Sequence, residues 1–429
     1  MARLRRTGAA AAGAVMVAMP ARTPSVPVLI ATVFAPFGLG YYLSYLFRTV
    51  NAVISPQLVA EIGLTPADLG LMTSLYFILF ASVQIPLGIA LDRYGPRKVQ
   101  VVLLCVAGTG GAVFALAHDF TVLALGRSLI GLGVSGCLMA MLQSNILWWP
   151  RERLPMLNAV TGAVGSAGAL SATLPVELLL AALDWRGILF ALAAVTFAVA
   201  ALMFAVVPDR RITEGVSTDI RGQMRDLRHI YTHGYFWRMT VMISAGAAVF
   251  LSYQTLWAAP WLRDVAGFDR LAVANGLLLF NVGMFVGVLS IGALADRLQR
   301  IGVPIVATVA GAFATMMLVQ AAMALELTGA ANLLCFLFGF TGSSTILAYS
   351  VYPRIFPAAL IGRVNTAQNM SIFVVAFVVQ WAVGAIIGLY PQVAEGRYSP
   401  EGHRAALIVL IGCQALAFAW FAWPRRKKD

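Results

Sequence analysis

Charge is what this chain has least of. Aspartate, glutamate, lysine and arginine make up 11% of its 429 residues, against roughly 25% in a soluble domain. Water is therefore not its main solvent. Cysteine is scarce as well: Cys105, Cys137, Cys335 and Cys413 each stand alone in an apolar stretch. That excludes metal-ligand spacing and suggests no disulfide framework. No histidine falls in an apolar stretch, because His118, His229, His233 and His403 all read as loop residues. There is no catalytic triad and no phosphate-cradling loop. Gly131-x-Gly133 lies inside an apolar helix and not after a strand, so it is no nucleotide fingerprint. An enzyme is excluded on these grounds, and no cofactor or metal is expected.

Apolar residues are what the chain has in excess, at 60%. Runs near 20 residues recur between short polar loops, each long enough to cross a hydrocarbon core of about 30 Å. A β-barrel would alternate apolar and polar residues at every second position, which these runs do not. Twelve transmembrane helices are predicted, at 29–58, 67–91, 99–117, 121–147, 155–180, 187–207, 237–262, 271–295, 302–325, 330–352, 363–389 and 404–423. The resulting division is an N-terminal extension (1–27), a six-helix bundle (28–207), a hydrophilic hinge (208–235), a second bundle (236–424) and a basic tail (425–429). Residues 1–21 imitate a signal peptide, yet cleavage would oppose the charge rule, so a disordered extension is expected, with the start at Met1 or Met19.

The net charge of +12 looks like a nucleic-acid signal until its placement is read. These spans put 23 of the 30 basic residues on one side, whereas Arg186, Arg263, Arg270, Arg397 and Arg404 fall opposite. Arg48 and Arg127 remain inside the membrane. Positive charge is retained in the cytoplasm, so both termini are expected there, in a plasma (inner) membrane. The basic balance reports topology and not a nucleic-acid partner.

The two halves repeat each other at an offset of 204. Gly88-Ile-Ala-Leu-Asp92-Arg93 is echoed by Gly292-Ala-Leu-Ala-Asp296-Arg297, and internal repeats of this kind mark transporters that rock two bundles about a central site. Gly88-x-x-x-Asp92-Arg93-x-Gly95-Pro96-Arg97-Lys98 resembles the loop motif of the major facilitator superfamily, with Pro96 as one extra residue. Arg127-x-x-x-Gly131-x-Gly133 is similar to that family's second motif, and Pro208-Asp209 to its usual close of the sixth span. The resemblance covers the whole chain. It implies an all-α membrane protein of two pseudo-symmetric six-helix bundles. It also implies an inner gate at Gly88, Asp92, Arg93, Gly95, Arg97, Asp296 and Arg297 that steadies the state closed to the cytoplasm. The bland alternative is a topology anchor.

Tyr41, Ser44, Arg48, Asn51 and Ser55 follow spacings of 3, 4, 3 and 4, which sets one polar stripe on the first span. A charge in hydrocarbon costs about 2.5–3.5 kcal/mol on insertion scales, so Arg48 should face the bundle interior. Counted from Leu29 it lies about 28 Å up the helix; counted from Pro36 it is near the centre. It is either a cavity cation for an anionic substrate or a structural arginine capping carbonyls. Phe47-Arg48-Thr49-Val50-Asn51 also resembles the first-span pattern of the anion:cation symporter branch, where the arginine binds a carboxylate. The acids that carry proton coupling in that branch are replaced here by Phe47 and Val134.

Arg127 is open between a bundle strut and a cavity role. Tyr253 and Trp257, one turn apart, suit an aromatic cavity wall, and Asn281 a hydrogen-bonding position. The acids near the hydrocarbon read as Glu177 and Glu326 alone. The expected function is secondary transport of a small organic anion, bound by Arg48, Tyr41, Ser44, Asn51, Arg127, Tyr253, Trp257 and Asn281. A coupling ion is left open, and the protein is expected to work as a monomer in the lipid bilayer. Competing readings are nitrate-type exchange, efflux of amphipathic compounds, and a non-transporting receptor.

Overall fold

The computed structural model describes residues 25–210, 220–352, 356–357, 360–394 and 396–423. The extension's first 24 residues, the hinge residues 211–219 with Arg211, Pro353-Arg354 and the basic tail lie outside them. Every regular element among the described residues is helical. Ten helices are long and apolar enough to cross a membrane, or eleven if one bent pair counts as a single span.

In chain order the spans are as follows. The first is Val26–Thr49, continued by Asn51–Ile62; the second joins Pro66–Ser82 to Gln84–Tyr94; the third is Pro96–Ala115; the fourth is Phe120–Trp148. Met156–Leu179 and Trp185–Val206 complete the first half. The second half holds Gly234–Asp264, Arg270–Arg300, Ile305–Ala324, the tenth span, Ile361–Ile387 and Pro400–Ala422. The tenth is the shortest as an α-helix, Ala331–Gly342, and tightens into a 3-10 turn over Ser343–Ser350. With it the chain forms the twelve-helix, two-bundle architecture.

Local chemistry explains where the helices deviate. The second span bends by 49° at Val83, because Pro86 supplies no N–H to Ser82 and its ring crowds that carbonyl. Offset by 204, the eighth span has Ser290 instead and runs unbroken for 31 residues. Pro36 does not interrupt the first span. A π-helical turn over Ile30–Phe34 precedes it, and the real break falls at Val50, between Thr49 and Asn51.

Part of the hydrophilic hinge is a helix, Ile220–Thr232, with Ile230 fully buried and the Tyr231 hydroxyl donating to the Ala367 carbonyl at 3.2 Å. One apolar face, short as it is, docks the linker on the second half.

Candidate functional site

Glycine sets how close the helices around Arg48 can come. A Cβ on Gly168 would sit 2.2 Å from the Tyr42 carbonyl oxygen, and one on Gly131 would sit 2.5 Å from that of Tyr76. Neither backbone can yield, so the fifth span lies directly on the first, and the fourth on the second. The fourth-span motif is thus a packing device that fixes Tyr76.

At the Val50 break the first helix leaves carbonyls without helical partners. Arg127 takes two of them: its guanidinium donates to the Phe47 carbonyl at 2.8 Å and to that of Arg48 at 3.3 Å. Arg127 is 1% exposed and lies 4.8 Å from the centre of the Tyr76 ring. In this state both terminal nitrogens serve the fold, while its buried Nε has no hydrogen-bond partner among the described residues.

Arg48 is also buried, at 7% exposure, yet it is held differently. Its guanidinium carbon lies 4.6 Å from the Tyr45 ring centre, 5.9 Å from Tyr76, 5.7 Å from Phe80 and 5.7 Å from Phe373. Three rings come from the first half and Phe373 from the second, and Phe80 and Phe373 themselves touch at 4.3 Å. The single hydrogen bond to a described residue runs from Arg48 Nε to the Tyr76 hydroxyl, at 3.4 Å. Among the described residues no carboxylate lies within ion-pair distance of it. Aromatic faces offset a buried cation by about 0.5–2 kcal/mol each, but they accept few of a guanidinium's five N–H donors.

The other residues of the expected set disperse. Tyr41 is nearest, packed edge-on against Tyr45 at 5.2 Å. Ser44 reaches the Val134 carbonyl only at 3.5 Å. Asn51 donates to Thr73 at 3.3 Å and ties the first span to the second. In the second half Tyr253 stacks on Phe338 at 5.2 Å, and Trp257 donates to the Gln380 carbonyl at 3.1 Å. Asn281 accepts from Gln254 at 3.0 Å and donates to the Leu277 carbonyl at 3.0 Å. Of the expected set, Tyr41, Arg48 and Arg127 share one neighbourhood around the ring cage.

Among the described residues the tightest contacts between the halves lie at one end of this centre. At the outer end Gly384 presses on the Pro66 carbonyl and Gly70 on that of Gln380, where added Cβ atoms would lie at 2.3 and 2.9 Å. Glu177 of the fifth span and Arg270 of the eighth form a 3.0 Å ion pair across the same seam. At the basic-rich inner end Gly88, Gly292 and Gly362 face open space. Among the described residues the structure is therefore closed at the Gly384–Pro66 end and open at Gly88, Gly292 and Gly362. The inner motif accordingly makes its contacts within its own half. Asp92 accepts from Gln143 at 3.1 Å, Arg97 donates to the Phe204 carbonyl, and Lys98 pairs with Asp209 at 2.8 Å. Arg93 lies against the Tyr94 ring, and Asp296 and Arg297 are exposed. Gly95 takes φ 82°, a conformation that favours glycine and turns the chain into the third span.

Sequence reasoning missed the cage. Tyr45 precedes Arg48 by three residues and shares its helix face, and Tyr76 and Phe80 are one turn apart, so a stripe of rings was available. Phe373 carried no such signal. Two polar residues were also misplaced: the seventh helix runs on to Asp264, whose side chain is 0% exposed, and His403 lies in the first turn of the twelfth helix, 1% exposed.

Two helical bundles packed over a buried seam are the architecture of membrane transporters. The chain belongs to the Major Facilitator Superfamily, whose family model matches residues 37–380. A probable sulfoacetate transporter of Cupriavidus necator is 25% identical over 274 residues, 61% of this chain and 64% of that protein. A chloramphenicol resistance protein of Streptomyces lividans is 28% identical over 250 residues, 57% of this chain and 62% of that one. The chain thus spans under two thirds of the length of both. A bacterial homologue of the human lysosomal transporter Spinster, solved inward-facing and occupied, shares the fold. Its TM-score is 0.74 at 17% identity, over 93% of this chain and 97% of that one.

Proposed function

We propose that this secondary transporter carries a small organic anion, a carboxylate-bearing metabolite, by alternating access, with Arg48 holding the anionic end. The observation that carries the reading is Arg48 itself: a buried cation with no carboxylate partner among the described residues, enclosed by rings from both halves. A planar guanidinium meets a carboxylate bidentately, and a group touching both halves can transmit binding to their closure. The likeness to a sulfoacetate transporter supports the same substrate class. Arg127, already bonded to two carbonyls, is assigned to presenting Arg48 and not to the ligand. The membrane is the inner one and both termini are cytoplasmic; a cysteine at Ile301, 75% exposed, should resist an impermeant thiol reagent in intact cells.

The test is thermal stabilisation of the purified protein by carboxylates, sulfonates, nitrate and amphipathic cations side by side. Stabilisation by a carboxylate or sulfonate and not by nitrate supports the proposal. The second reading is efflux of amphipathic compounds, favoured by the ring cage and by the likeness to a chloramphenicol resistance protein. Stabilisation by neutral or cationic aromatics alone would select it.

A further inference from the structure

A second buried polar cluster lies at the outer end of the second half, away from Arg48. Asp264 ends the seventh helix with its side chain 0% exposed, and His403 of the twelfth helix is 1% exposed beside it, Nε2 to Oδ2 3.4 Å. Arg263 donates to Asp264 twice, at 2.6 and 2.9 Å, and the Tyr398 backbone N–H at 3.3 Å. On its other side Arg263 lines a cleft between the halves together with Ser55, Pro56, Glu177 and Arg270. The cluster therefore touches the seam through one side chain.

We propose that Asp264 and His403 form a proton-binding site whose occupancy controls closure of the outer seam through Arg263. At 3.4 Å the contact of His403 with Asp264 is longer than the 2.7–3.2 Å of a good hydrogen bond. Protonated, the imidazolium becomes a charge-assisted donor that draws in to about 2.7–2.9 Å and competes with Arg263 for Asp264. The guanidinium so released faces Glu177, the one acid lining the cleft. A second ion pair across the seam then joins the Glu177–Arg270 bridge, so proton binding stabilises the state closed to the outside.

The surroundings leave His403 as the switch. The Tyr398 ring packs near it at 6.3 Å, with its hydroxyl buried and unpartnered. On its own helix Glu401 is held by Ser399, and Arg404 pairs with Glu326 at 3.7 Å. Tyr390 borders Gly402, and Arg397 is exposed. The neighbouring ninth helix, Ile305–Ala324, has no charged residue, and those of the seventh and eleventh at their inner ends are Arg238 and Arg363.

The experiment needs no transported substrate, so its outcome is independent of Arg48. Spin labels at Leu183 and Leu389, in an otherwise cysteine-free full-length protein in nanodiscs, report the outer distance between the halves at pH 7.5 and 5.5. In the wild type the long-distance population should fall at least about threefold on acidification, and in His403→Gln the response should vanish. A His403→Gln protein with the wild-type response, or a wild type with none, overturns the proposal. Should the variant not fold, imidazole nitrogen resonances decide the matter with His118, His229 and His233 replaced by glutamine. A change of the His403 resonances between pH 7.5 and 5.5 is expected, and its absence overturns the site.

Discussion

The Arg127 guanidinium donates to the Phe47 carbonyl at 2.8 Å, one residue before Arg48 and three before the break at Val50. One buried arginine thus holds the backbone turn from which the other projects. The pair divides the labour of two intramembrane cations: Arg127 satisfies carbonyls that the broken helix releases, and Arg48 keeps most of its donors free.

Arg127→Lys tests that division. A lysine keeps the charge but cannot reach two adjacent carbonyls from a planar fork, and a lost hydrogen bond to a charged group costs about 1.5–3 kcal/mol. Thermal stability should drop by that order, while the folded fraction binds its anion with affinity within about threefold of wild type. Affinity lost without a drop in stability would place Arg127 in the substrate site.

Legibility followed the physics of each signal. The spans, the repeat at offset 204 and the inner motif were legible because hydrocarbon tolerates so few charges that every deviation stands out. Arg48 was legible for the same reason. The rings around it were not, since phenylalanine and tyrosine in a membrane helix are ordinary residues until a tertiary neighbour gives them a role, as Phe373 gains from Phe80 across the seam. Asp264 was overlooked because a helix end read from composition stops at the last apolar residue. The structure buries the next acid by folding Tyr398 and His403 over it.

The crossing of Gly384 on Pro66 predicts a lever on the conformational balance. A side chain at 384 would meet the Pro66 carbonyl at 2.3 Å and the Trp257 ring at 3.0 Å. Gly384→Val should pry the outer ends apart, lengthening the Leu183–Leu389 label distance and cutting flux at least about tenfold by trapping one state. An unchanged distance with normal flux would mean that the two helices slide past the added methyls.

At the inner end Asp92 is the acid of the Gly88–Lys98 motif, and in this state it accepts from Gln143 of its own half while Lys98 pairs with Asp209. Asn in its place can still accept from Gln143, so the fold of the half should survive. Losing the charge removes what Asp92 offers the second half when the inner end closes, and shifts the population toward the state described here. Asp92→Asn should lower flux at least about threefold with substrate affinity within about twofold. Wild-type flux in a well-expressed mutant would reduce the motif to a topology anchor.

The substrate claim rests on Arg48 and can be separated from a structural role. Its cage of Tyr45, Tyr76, Phe80 and Phe373 stabilises the cation while taking only its Nε donor, so truncation leaves no buried acid among the described residues unpaired. Arg48→Ala should therefore fold and remain extractable, yet lose anion affinity by at least about 30-fold, the lower bound for removing one partner of a buried charged pair. Arg48→Lys retains the charge but forfeits the second of two parallel hydrogen bonds, and affinity should fall about tenfold or more. A structural arginine predicts the reverse pattern, with both variants expressing poorly and any folded fraction binding normally. Ligand-induced thermal shift and flux for the three proteins side by side read this directly. Normal anion affinity in a well-folded Arg48→Ala would remove the anion site, and the ring cage would then speak for amphipathic cargo.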